Sequence, residues 1–317
     1  MPELPEVEVV RAGLEPAITG ATAASVTVFD QRSLRRHDGP SEDFIDRLTG
    51  RSFQAPQRRG KFLWIPLCGP ADEALERAAG ADDDVGAFAA GHGEALVAHL
   101  GMSGQVLLRD RSTDDRLTRI RIELDHPDHG ALRLNFVDQR IFGSMSLDSM
   151  LPTLDQPHLT VPSQVAHIAR DPLDPYFDDA KFLRALKAKR TTVKRAMLDQ
   201  TLVSGIGNIY ADEALWAAQI HYNQPTESLS RARAVLLLAE VRAVFAKALA
   251  EGGTSFDAQY LNVNGESGYF AHSLNVYGQQ GKECPRCGSE VIREQFMNRG
   301  SHFCGFCQRV RVGARAV

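Results

Sequence analysis

Four of the five cysteines stand in two tight pairs, Cys284-x2-Cys287 and Cys304-x2-Cys307, with 16 residues between the pairs. Each pair can grip one edge of a tetrahedral ion, and the intervening stretch is long enough for a β-hairpin. Val291, Ile292, Phe296 and Phe303 supply β-prone residues for it. Thiolates form on a divalent metal, whose binding then holds a module too small for a core of its own. The spacing predicts one structural Zn2+, with no ligand position left open for catalysis. Cys68 is solitary among apolar residues and reads as a buried thiol.

The other end of the chain offers different chemistry. If Met1 is removed, as is usual before a small residue, Pro2 presents a secondary amine that can attack a carbonyl-like carbon and form an iminium. An α-amino group titrates near pH 8, roughly two units below lysine, so much more of it is unprotonated at neutral pH. Glu3 and Glu6 lie beside it. On residue type alone they fit the start of a helix, where carboxylates face the positive end of the dipole; a general-acid role for Glu3 is the sharper alternative. Lys61, in Arg58-Arg59-Gly60-Lys61, enters an apolar strand and either snorkels to solvent or reaches an anion.

The elements that must position these groups can be read from periodicity. Leu4, Val7, Val10 and Leu14 recur at helical spacing, with Pro5 in the first turn where its missing N–H costs nothing. Seven β-like runs follow, at 24–29, 51–58, 61–66, 94–99, 104–108, 119–124 and 131–136. Several alternate apolar with polar residues, as half-buried antiparallel strands do. An acidic Ala/Gly-rich stretch, 69–93, reads as a surface insertion. Residues 153–175 are proline-rich and read as a linker. Helical texture then covers 178–189, 193–201, 209–217 and 230–251, followed by a Gly/Asn/Ser-rich loop to Tyr269. The predicted fold class is α+β: an N-terminal antiparallel β-sandwich with flanking helices (1–152), a linker (153–175), a helical domain (176–272) and a C-terminal zinc-finger β-hairpin (273–317).

The composition, 43% hydrophobic and 24% charged, is that of an ordinary globular protein. No apolar run is long enough for a transmembrane helix, and the acidic start lacks signal-peptide character, so a cytoplasmic location is expected. The net charge of −4 and pI of about 6.2 argue mildly against a nucleic-acid partner. That average hides an asymmetry: residues 181–317 carry +7 and the rest −11. Such a division suits a basic working face beside acidic solvated regions. Arg286, Arg293, Arg299, Arg309 and Arg311 decorate the cysteine module and suit phosphate contact.

The N-terminal Pro-Glu-Leu-Pro-Glu-Val-Glu, the segment Gly205-Ile206-Gly207-Asn208-Ile209-Tyr210 and the four-cysteine module occur together in this order. The combination resembles formamidopyrimidine-DNA glycosylase, within the wider group that includes endonuclease VIII. The likeness runs from Pro2 to about Gln308 and turns the helical domain into a helix–two-turn–helix unit with a lesion-capping loop. It implies a bifunctional glycosylase and abasic-site lyase that removes oxidised purines from double-stranded DNA. Pro2 would then be the nucleophile, Glu3 the proton donor, Glu6 an orienting or proton-carrying group, and Lys61 a contact to the damaged nucleotide.

The same resemblance assigns DNA contacts. Asn208, read as the N-cap of a helix whose free N–H groups favour an anion, would grip phosphate with Lys194 and Arg195 nearby. Met102, Arg140 and Phe142 lie on two turns that would fill the gap left by an extruded base, with Arg140 on the opposite cytosine. Arg119 stands where relatives often carry a histidine, and Ile141 where many carry a second arginine. Arg299 joins the phosphate contacts. A lesion has no two-fold symmetry, so a monomer is expected, associated with the nucleoid by substrate. The alternatives are an endonuclease VIII-like enzyme for oxidised pyrimidines and a catalytically silent DNA-binding paralogue.

Overall fold

A computed structural model describes residues 2–69, 93–254, 263–264 and 268–311. Two compact units account for them. The first takes Pro2, Glu6–His167 and the short piece Val263–Asn264; the second takes Glu3–Pro5, Ile168–Thr254 and the chain from Gly268. The acidic insertion and the proposed capping loop fall largely outside the described residues.

In the first unit, α1 (Leu4–Ile18) extends one turn beyond the expected Leu14, because Ile18 continues the apolar stripe of Val7, Val10 and Leu14 into the core. The strands are β1 (Thr22–Val28), β2 (Ser52–Phe53), β3 (Gln57–Arg59), β4 (Phe62–Cys68), β5 (Glu94–His99), β6 (Gly104–Arg109), β7 (Thr118–His126), β8 (Gly130–Asp138), β9 (Ser144–Pro152) and β10 (Thr160–Pro162). They form one antiparallel sheet in the order β10-β9-β5-β4-β2-β1-β7-β8-β6, with β3 on β4. The two-residue β2 joins two halves whose inward side chains share one core. Leu63 and Ile65 from β4 and Leu96 from β5 meet Ile120 and Ile122 from β7, Phe136 from β8 and the α1 stripe. Shared burial between two sheet halves is what a sandwich requires.

Three elements escape the periodicity reading. The helix α2 (Ser41–Leu48) is too short for a repeating signal and buries only Phe44 and Leu48. In β9, Met145 and Leu147 alternate inward from a Ser-rich run. Next to it, β10, inside the proline-rich stretch, pairs Val161 with Leu151, and the boundary between the two units falls later in that stretch, at His167–Ile168.

The second unit contains α3 (Asp179–Ala188), α4 (Val193–Met197), α5 (Asn208–Ala217), α6 (Arg231–Ala250) and the hairpin β11 (Val291–Phe296) with β12 (Arg299–Cys304). Asp178 caps α3 through the Lys181 N–H at 2.8 Å, and Ser230 caps α6. The hairpin belongs to this unit and forms no separate body: Phe296 and Phe303 share a core with Tyr210 of α5 and Phe245 of α6. No described helix is long and apolar enough to cross a membrane.

Candidate active site and nucleic-acid interface

The N-terminal carboxylate and the glycine motif meet. Glu3, 2% exposed, accepts the Gly207 N–H at 2.7 Å, the Ile209 N–H at 2.9 Å and the Tyr210 N–H at 3.3 Å. The Leu4 N–H donates to the Gly205 carbonyl at 3.0 Å. The two glycines are needed for this approach. A Cβ on Gly207 would lie 2.3 Å from the Glu3 carboxyl carbon, and one on Gly205, at φ +85°, would strike Leu4 at 2.7 Å. Gln200 braces the turn, accepting from the Gly205 N–H and donating to the Ile206 carbonyl, both at 3.0 Å.

This geometry corrects one expectation. The N-cap of α5 is Gly207, and Asn208 is the first helical residue. The cap is supplied by Glu3, whose carboxylate satisfies N–H groups that were expected to hold a phosphate. The half-buried Asn208 donates from Nδ2 to the Gly300 carbonyl, at 3.0 Å.

Lys194 is also placed differently from its expected role on DNA. It is fully buried, and its ammonium donates to Asp212 Oδ1 at 2.6 Å, Ser301 Oγ at 3.0 Å and the Gly300 carbonyl at 3.3 Å. Burial pushes this ammonium below its ordinary pKa, opposed by Asp212. With three protons engaged in three bonds, it ties α4 and α5 to the hairpin. Asp212 also accepts the His302 N–H at 2.8 Å. Its neighbour Glu213 accepts the Val276 N–H at 2.8 Å and the Tyr277 N–H at 2.9 Å. One helix therefore organises three separate segments through its capped N-terminus and two buried carboxylates.

In the first unit, Pro2 and Glu6 are buried and Lys61 is half-buried. Lys61 follows Gly60, whose φ of +58° makes the reversal between β3 and β4. The positive charges of Lys61, Arg35 and Arg36 act on His99 at the end of β5. Burial first, then Arg36, Arg35 and Lys61, hold its imidazole at a pKa of about 4, so it is neutral at physiological pH. Arg36 lies over the Phe62 ring at 5.6 Å. Lys61 and Arg36 make a cationic edge that suits a phosphate backbone.

The two expected gap-filling turns are joined. Ser103 Oγ donates to Asp138 Oδ1 at 2.5 Å, linking the turn of Met102 to that of Arg140 and Phe142. Asp138 also accepts the Arg140 N–H at 3.0 Å and the Gly143 N–H at 2.6 Å. At Gly101, φ +63°, a Cβ would lie 2.3 Å from the Phe142 carbonyl, so only glycine lets the turns touch. Met102 and Phe142 are 41% and 47% exposed, and Arg140 is exposed. Exposed apolar tips on a rigid base are what a wedge needs. Arg119 is partly engaged, donating to the Asp138 carbonyl at 2.8 Å.

The sulfurs of Cys284, Cys287, Cys304 and Cys307 all lie within 4.8 Å of one another. Four thiolates around a zinc ion sit about 3.8 Å apart, given Zn–S bonds of about 2.3 Å. The Trp216 indole N–H donates to Cys284 Sγ at 3.3 Å, and the Cys307 N–H points at Cys304 Sγ. The set fits a tetrahedral divalent metal. Arg299 is exposed at the start of β12. Arg286 is used differently: it stacks on Trp216 at 4.2 Å and caps the end of α5 through the Trp216 carbonyl.

Sequence reasoning missed Arg35, His99, Ser103, Asp138, Asp212 and Glu213. The dibasic pair Arg35-Arg36 and the flanking of Met102 by His99 and Ser103 were visible signals. The buried carboxylates had none, because surface and core acids look alike in a sequence.

The formamidopyrimidine-DNA glycosylase N-terminal domain model matches residues 1–145, and the H2TH domain model of the same glycosylase matches residues 168–259. A formamidopyrimidine-DNA glycosylase from Leifsonia xyli subsp. xyli is 58% identical over 318 residues, covering 98% of this chain and 100% of the relative. Among solved structures, a Lactococcus lactis Fpg mutant in complex with Fapy-dG-containing DNA is similar at TM-score 0.76 and 29% identity, over 97% of this chain and 100% of that one. The wild-type Lactococcus lactis Fpg complexed with DNA containing an oxidised pyrimidine gives 0.75 at 29% identity, over 97% and 100%.

Proposed function

Because this chain belongs to the formamidopyrimidine-DNA glycosylase family, we propose that it removes 8-oxoguanine and formamidopyrimidines from duplex DNA through its N-terminal proline amine. It is a DNA-binding glycosylase of base excision repair, and abasic-site lyase activity is typical of the family. The observation that carries the nucleophile assignment is the anchoring of Glu3. Three N–H groups of α5 pin the residue covalently next to Pro2, and fixed geometry is what converts an amine into an efficient nucleophile.

With Met1 removed, the Pro2 nitrogen attacks the sugar C1′ of the damaged nucleotide as the bond from C1′ to the base breaks. The base leaves with a proton, and the sugar ring oxygen is protonated as the ring opens. The nitrogen gives up its own proton and its lone pair closes a C1′=N+ iminium. That iminium accepts the electrons freed when C2′ loses a proton, and the resulting enamine expels the 3′ phosphate; loss of the C4′ proton from the unsaturated iminium then expels the 5′ phosphate, and water releases the proline.

Glu3 serves as the acid towards the sugar oxygen, Glu6 orients the first turn of α1, and Lys61 reaches the damaged nucleotide and its phosphate. Arg140 contacts the opposite cytosine while Met102 and Phe142 occupy the gap. Asn208, Arg119 and Arg299 contact phosphate, and one Zn2+ on the four cysteines is structural. The enzyme works as a cytoplasmic monomer on nucleoid DNA.

A second reading has its own support. The Lactococcus lactis neighbour bound to DNA with an oxidised pyrimidine motivates an oxidised-pyrimidine substrate. Borohydride trapping separates the two, since hydride reduces the iminium to a stable amine. An adduct on 8-oxoguanine opposite cytosine, mapped to Pro2, supports the purine reading. Trapping only on an oxidised pyrimidine replaces it, and duplex binding without any adduct marks a silent paralogue.

A further inference from the structure

Arg35 follows a short 3-10 turn, Gln31–Leu34, and its guanidinium meets the turn after β8. Nη1 donates to the Ile141 carbonyl at 3.1 Å and the Gly143 carbonyl at 2.6 Å, and Nη2 donates to the Phe142 carbonyl. Three consecutive carbonyls are held by one planar group. The N–H groups of the same turn are held from the other side by Asp138, through Arg140 and Gly143. The turn is gripped by both kinds of backbone group.

The grip coincides with strain. Ile141 sits at φ +56°, a left-handed conformation in which a β-branched side chain crowds its own backbone. A residue in such a conformation persists only when its surroundings over-determine it. The two residues that flank Ile141 are Arg140 and Phe142.

We propose that Arg35 is the positioning residue that sets discrimination of the base opposite the lesion, by holding Ile141 in its strained conformation and so aiming Arg140 and Phe142. This rests on the reading of Arg140 and Phe142 as the groups that read and fill the gap. Lysine carries the same charge but lacks the planar fork that serves three carbonyls. Asparagine tolerates a positive φ, so Ile141→Asn removes the strain that Arg35 opposes.

The test measures kcat/KM on 8-oxoguanine opposite cytosine and opposite adenine, for wild type, R35K, R35Q, R35K/I141N and R140A. R35K and R35Q should both lower the cytosine-over-adenine ratio by about tenfold, the scale of the strain they release. I141N should restore that ratio in the R35K background, an effect that general destabilisation cannot produce. The salt dependence of duplex binding should not change. If R35K keeps the wild-type ratio, while R35Q loses affinity and its salt slope falls by about one, Arg35 is a phosphate contact and the proposal fails. If R35K folds poorly, the double variant decides: a ratio still tenfold low there also overturns it. R140A separates the premises, because an unchanged ratio in R140A defeats the gap-reading assignment, whereas collapse in R140A with retention in R35K defeats the Arg35 proposal alone.

Discussion

The Glu3 carboxylate accepts the Gly207 N–H at 2.7 Å, joining residues 204 positions apart in the chain. Gly207 has φ −122°, a value any residue adopts, so the requirement for glycine is steric and not conformational. A Cβ there would lie 2.3 Å from the Glu3 carboxyl carbon. Gly207→Ala should therefore expel the carboxylate from the start of α5. The expected cost is about 1–3 kcal/mol for overpacking, together with a large fall in borohydride trapping. Thermal melting and trapping on the same sample check this, and full trapping by Gly207→Ala would show that Glu3 does not fix the nucleophile.

That contact also shows where sequence reasoning stopped. The glycine motif, the N-terminal Glu3 and Glu6 and the cysteine module were each legible, because spacing and turn chemistry are local. Their pairing was not. The N–H groups at the start of α5 suit an anion, and the anion they bind is the protein's own Glu3. Charge and neighbourhood alone place Lys194 on DNA, whereas its burial depends on Asp212 and on a hairpin more than a hundred residues later. The strands of the first unit were legible from alternation, but β9 and β10 hid among serines and prolines.

Lys194 and Asp212 form a buried pair, and breaking such a pair leaves an uncompensated charge away from water. Lys194→Met should destabilise the protein by about 3–5 kcal/mol. Arg299→Ala, at an exposed position, should leave stability within about 0.5 kcal/mol and reduce the salt slope of DNA binding by about one. Denaturant melts of both variants, with binding titrated at several salt concentrations, distinguish strut from contact. A Lys194→Met protein as stable as wild type would mean that the ammonium is dispensable to the fold.

His99 gives a pH dependence. In the unfolded chain its imidazole titrates at 6.5, whereas in the fold burial and then the nearby arginines and Lys61 lower it to about 4. Between those values the unfolded chain binds a proton that the folded chain refuses. Stability from this group is thus complete above pH 6.5 and declines as pH falls towards 4. Urea midpoints for wild type and His99→Gln across pH 7 to 4.5 should show a shallower decline in the variant. Parallel curves would assign the slope to other groups.

Metal removal should reach beyond the cysteines. The hairpin supplies Gly300 and Ser301 to Lys194, and His302 to Asp212, so its register is part of how α4 and α5 are held. Chelation should release one zinc per chain. The loss of four metal–sulfur bonds removes folding energy from the hairpin itself. Without β12 in place, Lys194 and Asp212 lose hydrogen-bond partners while remaining among apolar neighbours, which is costly. Hydrogen exchange should therefore accelerate in α5 as well as in β11 and β12, while β7 and β8 in the first unit keep their protection. Because α5 also holds Glu3, borohydride trapping should fall with the metal although no metal ligand touches the substrate. Exchange confined to the hairpin, with trapping retained, would show that α5 stands without it.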